Sequence, residues 1–149
     1  LDDTYNANPA SANAAIEVLA EASGIRMMVL GDMGELGGDV EAMHGAIGTK
    51  AKDSGIEKMF CYGTYSAKAC EQFGSPETAF SEMDELIFSI KSSIKNSIKN
   101  SIKSNIESNT RNESETDMTT VMTILVKGSR SARMERVVDA LKTGEVERC

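Results

Sequence analysis

The 149 residues of this chain fit one domain with its own hydrophobic core. Apolar residues make up 40% of the composition, which excludes a disordered tail, and no apolar run approaches the roughly 20 residues that span a bilayer. The formal net charge of −7 argues against general nucleic-acid binding, which depends on lysine and arginine neutralising phosphates. These properties predict a soluble protein that acts on small molecules, with neither nucleic acid nor membrane as a partner.

The three cysteines, Cys61, Cys70 and Cys149, are an odd number and have no CxxC spacing. We therefore expect neither a disulfide framework nor a zinc site, and the predicted location is the reducing cytoplasm. The chain begins at Leu1 rather than at a methionine and shows no signal-peptide pattern. This beginning predicts a piece of a longer protein.

Short apolar runs alternate with helical patterns along the chain. Asn8-Pro9 is a typical helix start, and the helix that follows is predicted to end at Gly24. Three buried strands are predicted at 25–30, 58–62 and 121–126, and two further helices at 39–53 and around 134–141. The alternation predicts an α/β fold, a Rossmann-like, open, mostly parallel sheet flanked by helices, whose first strand before Asp2 is truncated.

One stretch has a composition of its own. From Ser89 to Ser108 the chain consists of the tetrads SIKS, SIKN, SIKN, SIKS and NIES, followed by a polar run. We interpret residues 88–117 as a low-complexity insertion into a single domain, 1–149, that lengthens a helix beginning near Ser81. The isoleucines recur every fourth residue and would form a slowly drifting stripe on that helix. No function is assigned to the tetrads, because lysines in mixed polar company usually form a solvated face.

Ligands bind at the carboxyl ends of the strands in such sheets, so the loops beginning at Asp2, Gly31 and Lys127 are the candidate sites. The first loop reads DDTYNANP, at 2–9. Carboxylates and amides crowded at a strand end suit hydrogen bonds to sugar hydroxyls, as in nucleotide recognition. Capping of the following helix explains only Asn8 well, so a binding function is favoured for this cluster.

The second loop, LGDMGELGG at 30–38, follows the strand at 25–30. Its glycines would let the backbone approach a ligand closely, although a long turn that needs positive φ explains them equally well. Asp32 and Glu35 would repel a phosphate and suit an ammonium group better. His44, the only histidine, lies on the next helix, where a structural role is favoured and a functional one stays possible.

The third loop, Lys127-Gly128-Ser129-Arg130-Ser131, follows the last strand. Two cations, two hydroxyls and a predicted helix N-terminus form a candidate site for a carboxylate or a phosphate. The alternative is a helix cap with solvated cations. It is disfavoured because cations at a helix start oppose the macrodipole.

The three clusters, in this order, resemble the Mur ligase family, whose members build the peptide of peptidoglycan. DDTYNANP resembles the motif that opens the family's third domain. LGDMGELG with His44 resembles a second signature, and LVKGSRSARME a third. The tyrosine-asparagine form of the first motif is most similar to the members that add D-alanyl-D-alanine to UDP-N-acetylmuramoyl-tripeptide. The resemblance covers nearly the whole chain except about 88–117.

The resemblance implies the C-terminal domain of a three-domain, ATP-dependent, amide-bond-forming ligase. The central domain of such an enzyme carries the phosphate-binding loop and the Mg²⁺ ligands, and the third domain closes over the site. No GKT or GKS loop occurs in this chain, so alone it is expected to be inactive and to contain no catalytic residue or metal ligand. The resemblance assigns the ATP ribose to Asp3, with Tyr5, Asn6 and Asn8 lining the same part of the ATP site. It places Asp32 and Glu35 near the D-Ala-D-Ala dipeptide, on the side of its ammonium group, and assigns the dipeptide carboxylate to Lys127, Ser129 and Arg130.

Two other functions stay open at this point. A dinucleotide-binding oxidoreductase module would need a glycine fingerprint directly after the first strand and an acidic residue about 20 residues further on. Here the glycines follow the second visible strand, and carboxylates interrupt them. A non-catalytic interaction domain is suggested by the missing phosphate loop and by the SIKN tetrads.

Overall fold

The computed structural model describes residues 2–3, 7–34, 37–108 and 120–143, of which 2–3 and 105–108 are described by their backbone alone. Its strands form one parallel sheet in the order β1-β5-β2-β3-β4. They are β1 (Asp2–Asp3), β2 (Ile25–Gly31), β3 (Lys58–Tyr62), β4 (Ala79–Phe80) and β5 (Met122–Lys127). The predicted α/β fold is confirmed, with the short first strand at one edge of the sheet.

The helices of the described residues alternate with these strands. They are α1 (Pro9–Ala20), α2 (Val40–Asp53), α3 (Ala67–Phe73), α4 (Met83–Ser108) and α5 (Glu135–Thr143), with 3₁₀ turns at Pro76–Thr78 and Arg130–Ala132. The prediction that Gly24 ends α1 was wrong, because the helix already stops at Ala20. Gly24 instead has a φ of +81° beside β2, where a Cβ would collide with the carbonyl group of Val121.

The core has two halves, one on each face of the sheet. Met28 and Leu30 of β2 pack with α1, α2 and α3, whereas Met27 and Val29 pack with α4 and α5. Alternating side chains of a strand point to opposite faces, and here both faces are covered. This double burial explains why the strand reads as an uninterrupted apolar run.

Cys61 of β3 and Cys70 of α3 form a disulfide, and their Cα atoms lie 6.2 Å apart. The expectation that the chain has no disulfide was therefore wrong. An odd cysteine count gives no information on spatial proximity, and the chain returns from β3 to α3 within a sequence separation of 9 residues. Both cysteines are fully buried on the α1–α3 face of the sheet.

The SIKN tetrads of α4 change their environment along the helix. A helix has about 3.6 residues per turn, so four residues make slightly more than one turn. Each isoleucine is therefore rotated about the helix axis by about 40° from the isoleucine of the preceding tetrad. Ile90 is fully buried, the next two isoleucines are half-buried, and Ile102 is 53% exposed. Ser97 turns inward instead, and its hydroxyl donates to the carbonyl oxygen of Ser93 at 2.9 Å. The last turns of α4 consequently contribute little apolar burial.

We predict that Ile90→Ala lowers the free energy of unfolding by about 2–3 kcal/mol, because it leaves a cavity in the core. Ile102→Ala, the same change in a nearly identical tetrad, should cost less than about 0.5 kcal/mol. Urea unfolding followed by circular dichroism measures both. Equal costs for the two variants would contradict the observed drift of the stripe.

The tetrads also place Lys91, Lys95, Lys99 and Lys103 on the exposed side of α4. Their exposure agrees with the interpretation of a solvated charged face. In the part of the chain that the structure describes, neither α4 nor any other helix has the length and apolar character needed to cross a bilayer.

Candidate ligand site at the carboxyl edge of the sheet

The three loops singled out in the sequence begin side by side in the structure. Asp3 of β1 and Leu30 of β2 both pair with Lys127 of β5, and Gly31 of β2 pairs with Tyr62 of β3. Because all strands are parallel, these pairings place the ends of four neighbouring strands at one edge of the sheet. The loop after β3, which the sequence analysis passed over, joins the group.

Asp32 ties these loops together. Its carboxylate accepts backbone N–H groups from Thr64 (3.1 Å), Tyr65 (3.1 Å) and Ser66 (2.7 Å), all in the loop after β3. Its own carbonyl oxygen accepts from the backbone N–H of Ser129 at 3.1 Å and from the Ser129 hydroxyl at 2.7 Å. One residue at the end of β2 therefore fixes the loop of β3 on one side and the loop of β5 on the other.

This bonding limits what else the Asp32 carboxylate does. An ionised carboxylate offers about four lone-pair positions, and three backbone donors already use part of this capacity. Gly63 makes the arrangement possible, because the carboxylate group of Asp32 occupies the space that a Cβ at this position would need. Its φ of +120° also favours glycine. The Asp32 carboxylate therefore serves first to anchor the loop after β3.

His44 holds the base of the second loop. The backbone N–H of Met33 donates to His44 Nε2 at 3.0 Å, and His44 Nδ1 lies 2.7 Å from the carbonyl oxygen of Val40. These partners assign a neutral ring with its proton on Nδ1. The side chain is fully buried, so His44 braces the loop from within the domain.

We predict that His44→Ala lowers the free energy of unfolding by about 2 kcal/mol, since it leaves the buried N–H of Met33 without its acceptor and opens a cavity. Lys52→Ala, an exposed change on the same helix, is the matched control and should be neutral. Urea unfolding measures both. A His44→Ala variant as stable as its control would show that the ring does not brace the loop.

The third cluster combines buried and exposed groups. Lys127 is 1% exposed and Ser129 8%, whereas Arg130 is exposed. A lysine so deeply buried is uncommon. The Ser129 hydroxyl lies 2.8 Å from that of Ser131, so the two hydroxyls are linked.

The predicted helix N-terminus directly behind this cluster was misplaced. The chain first makes the 3₁₀ turn Arg130–Ala132, and α5 begins only at Glu135. Arg133, with a φ of +49°, separates the two segments. Positive charge in the third cluster therefore comes from the side chains of Lys127 and Arg130. The N-terminus of α5 begins several residues after the cluster.

Two of the motif glycines serve packing. A Cβ on Gly31 would lie 2.7 Å from Met134 Sδ, and one on Gly128 would lie 2.5 Å from Met134 Cγ. Met134 is fully buried beneath both loops. Gly37 differs, because a Cβ there would meet nothing within 4 Å. Glycine is required at positions 31 and 128 because the backbone there packs closely against Met134, and no ligand needs to be invoked.

The first cluster is described in part. Asn8 Oδ1 accepts the N–H of Ser11 at 2.8 Å, and Ser11 Oγ accepts the N–H of Asn8 at 3.2 Å, which confirms Asn8 as the N-cap of α1. Asp3 is placed in β1 by its backbone. The remaining predicted site residues, Tyr5, Asn6 and Glu35, lie outside the described residues.

Tyr65 lies in this group of loops, and the sequence analysis did not single it out. Its side chain is 44% exposed, and its ring centroid lies 6.2 Å from that of His44, beneath the second loop. The rule that selected the other loops, a polar turn at the carboxyl end of a strand, applies equally to the turn from Gly63 to Ser66. It was passed over because this turn contains no charged residue.

Together, these features define an α/β domain with a candidate ligand site at the carboxyl edge of a parallel sheet. The family model of the Mur ligase, glutamate ligase domain matches residues 1–130. The chain therefore belongs to the Mur ligase family, as a C-terminal domain.

Curated relatives and solved structures agree with this membership. A UDP-N-acetylmuramoyl-tripeptide–D-alanyl-D-alanine ligase of Escherichia coli (strain K12) is 40% identical over 142 residues, which cover 95% of this chain and 26% of the relative. Another from Buchnera aphidicola is 33% identical over all of this chain and 28% of its own length. The chain thus spans about a quarter of the length of the curated relatives it matches.

Among solved structures, MurF from Acinetobacter baumannii superposes with a TM-score of 0.74 at 29% identity, covering 95% of this chain and 27% of that one. MurF ligase from Thermotoga maritima, in complex with ADP, has a TM-score of 0.65 at 21% identity over 100% of this chain and 29% of that one. The second similarity supports the fold alone.

Proposed function

We propose that this chain is the part of an ATP-dependent ligase that presents D-alanyl-D-alanine for joining to UDP-N-acetylmuramoyl-tripeptide in peptidoglycan synthesis, and that completes the ATP site. The observation that carries the proposal is the convergence of the motif loops at one edge of the sheet, with Lys127 buried in their midst. The relatives of that name, at up to 40% identity, supply the reaction.

The dipeptide carboxylate would be bound by Lys127 and Arg130, together with Ser129, whose hydroxyl would turn from the carbonyl oxygen of Asp32 to the ligand. A buried ammonium group gives a strong charge-assisted hydrogen bond, because little water competes with the anion. The dipeptide amine would lie toward Asp32 and Glu35. Since three backbone donors already engage Asp32, we assign the larger share of this contact to Glu35.

The nucleotide would lie beside the dipeptide. Asp3 pairs with Lys127 in the sheet, and neighbouring strands are about 4.8 Å apart, so a ribose on Asp3, Tyr5 and Asn6 would adjoin the carboxylate site. Asn8, whose side chain caps α1, would shape this junction through the first helical turn.

The chain itself would bind and orient, while the phosphate chemistry takes place elsewhere. In the described residues no group of three or more His, Cys, Asp or Glu side chains is arranged to hold a metal ion, so Mg²⁺ would be held by other domains. By fixing the dipeptide next to the nucleotide, the domain would deliver the amine to the activated tripeptide carboxyl group. Alone, without a phosphate-binding loop, the chain would not catalyse the ligase reaction.

The UDP-linked substrate and ATP place the proposed reaction in the cytoplasm. In a reducing compartment Cys61 and Cys70 would be held as two buried thiols in contact. Neither cysteine is itself among the residues proposed to bind ligands, but the turn that Asp32 anchors, from Thr64 to Ser66, lies between them in the chain.

A ¹⁵N NMR titration of the chain with D-Ala-D-Ala, with L-Ala-L-Ala as the control, tests the proposal. NMR registers the millimolar affinities that one part of a multidomain site provides. We expect saturable, D-selective shifts of the amides of Lys127, Ser129 and Arg130. Equal shifts with both dipeptides, or none at tens of millimolar, would count against a dipeptide site on this domain.

A further inference from the structure

We propose that Tyr65 is a specificity-determining residue of the same site: its ring packs against the side chain of the C-terminal residue of the bound dipeptide, and Asp32 positions it there. This inference rests on the proposed function. It adds a contact outside the three recognised motifs, in the loop after β3, to which they do not extend.

The position of Tyr65 follows from a short chain of hydrogen bonds. Ser129, proposed to bind the dipeptide carboxylate, bonds through both its N–H and its hydroxyl to the carbonyl oxygen of Asp32. The side chain of Asp32 accepts the N–H of Tyr65 at 3.1 Å. Only one residue therefore separates the carboxylate-binding group from Tyr65, so the part of a ligand nearest to Tyr65 is the residue that carries the carboxylate.

The chemistry of Tyr65 fits a small apolar side chain. Its ring is 44% exposed although its backbone is fixed by Asp32. It lies 6.2 Å from the ring of His44, which braces the second loop. An aromatic side chain presents apolar area at a low entropic cost, because it has few rotatable bonds. The methyl group of a C-terminal alanine is a ligand of the right size for its face.

Asp32 acts in this arrangement as a positioning residue. Its carboxylate collects three consecutive N–H groups, from Thr64 to Ser66, and so sets the direction of the turn that carries the ring. An asparagine would keep one oxygen, but its amide N–H₂ would face either the N–H of Thr64 or those of Tyr65 and Ser66. Asp32→Asn should consequently disturb the turn that carries Tyr65, and with it the selectivity for the C-terminal residue of the dipeptide, at the opposite end from the amine toward which Asp32 is proposed to lie.

The test compares the dissociation constants of D-Ala-D-Ala and D-Ala-Gly, which differ by one methyl group, by NMR titration of the chain. Burial of one methyl group corresponds to a factor of about four in affinity. We expect this preference in the unchanged chain and in Tyr65→Phe, and its loss in Tyr65→Ala and in Asp32→Asn. Phe88→Ala, which removes the 74% exposed ring on α4, is the matched control and should keep the preference.

The ratio of the two constants separates recognition from damage to the fold, because a merely structural defect would weaken both dipeptides alike. Tyr65→Ala should fold normally, since the side chain lies outside both halves of the core. If the unchanged chain discriminates and Tyr65→Ala discriminates equally, Tyr65 is not the determinant, while the proposed function stands. If the unchanged chain binds neither dipeptide, the proposed function and this inference fall together.

Discussion

Replacing Gly48 with valine is expected to lower the free energy of unfolding by about 4 kcal/mol, enough to unfold a large fraction of a marginally stable domain. Gly48 lies inside α2 where that helix crosses α3, and a Cβ there would overlap the carbonyl group of Ala69. The obstacle is backbone, which cannot rotate away as a side chain does. The two helices would have to separate, and the core of the α1–α3 face would open with them.

Gly45→Val provides a matched control, three residues earlier in α2. A Cβ at Gly45 would lie 3.3 Å from Gln72 Cγ and 3.4 Å from Lys68 Cγ, both parts of flexible side chains. Valine is also a slightly better helix former than glycine, so this variant should stay within about 1 kcal/mol of the parent chain. Thermal and urea unfolding measure both. Similar costs at the two positions would show that α2 and α3 do not approach as closely as described.

Replacing Lys127 with methionine should reduce kcat/KM for D-Ala-D-Ala about 100-fold in a hybrid ligase, an enzyme in which this chain replaces the matching 26% of the Escherichia coli relative. Methionine fills a similar volume but supplies no charge to a carboxylate. Because the lysine is buried, water cannot take over its role. The loss should fall mainly on KM for the dipeptide, with KM for ATP little changed.

Lys142→Met, an exposed change on α5, is the control for this experiment and should leave the kinetics of the hybrid ligase unchanged. Circular dichroism of the isolated chain checks that both variants fold. A folded Lys127→Met variant whose KM for the dipeptide rises less than about threefold would remove Lys127 from the proposed carboxylate site.

Much of the fold was predictable because it depends on local patterns. The apolar run of β3 and the Asn8-Pro9 start of α1 were placed correctly, since each signal is complete within a few residues. Helix α3 and strand β4 were not anticipated, because seven and two residues respectively are too few to show a period. The Cys61–Cys70 pair depends on the path of the chain between β3 and α3, which no spacing rule encodes.

The part of the candidate site that could be predicted from the sequence is the part formed by charged and hydroxyl side chains. The motif residues Lys127 and Ser129 stood out because cations and hydroxyls follow a strand. The anchoring role of Asp32 could not be predicted from the sequence, because its partners are backbone N–H groups of a loop 32 to 34 residues away. Tyr65 became visible only through those bonds. Local chemistry indicated which groups are candidates for binding, and the order of the strands in the sheet decided which of them lie side by side.

The most direct test of the ligase assignment is the activity of the hybrid ligase itself. Phosphate release from ATP is measured with UDP-N-acetylmuramoyl-tripeptide, with and without D-Ala-D-Ala, against the relative lacking the replaced part. We expect dipeptide-dependent phosphate release and formation of the pentapeptide product in the hybrid ligase, and neither in the truncated enzyme. A folded hybrid ligase that forms no product at saturating dipeptide and ATP would contradict the proposed function.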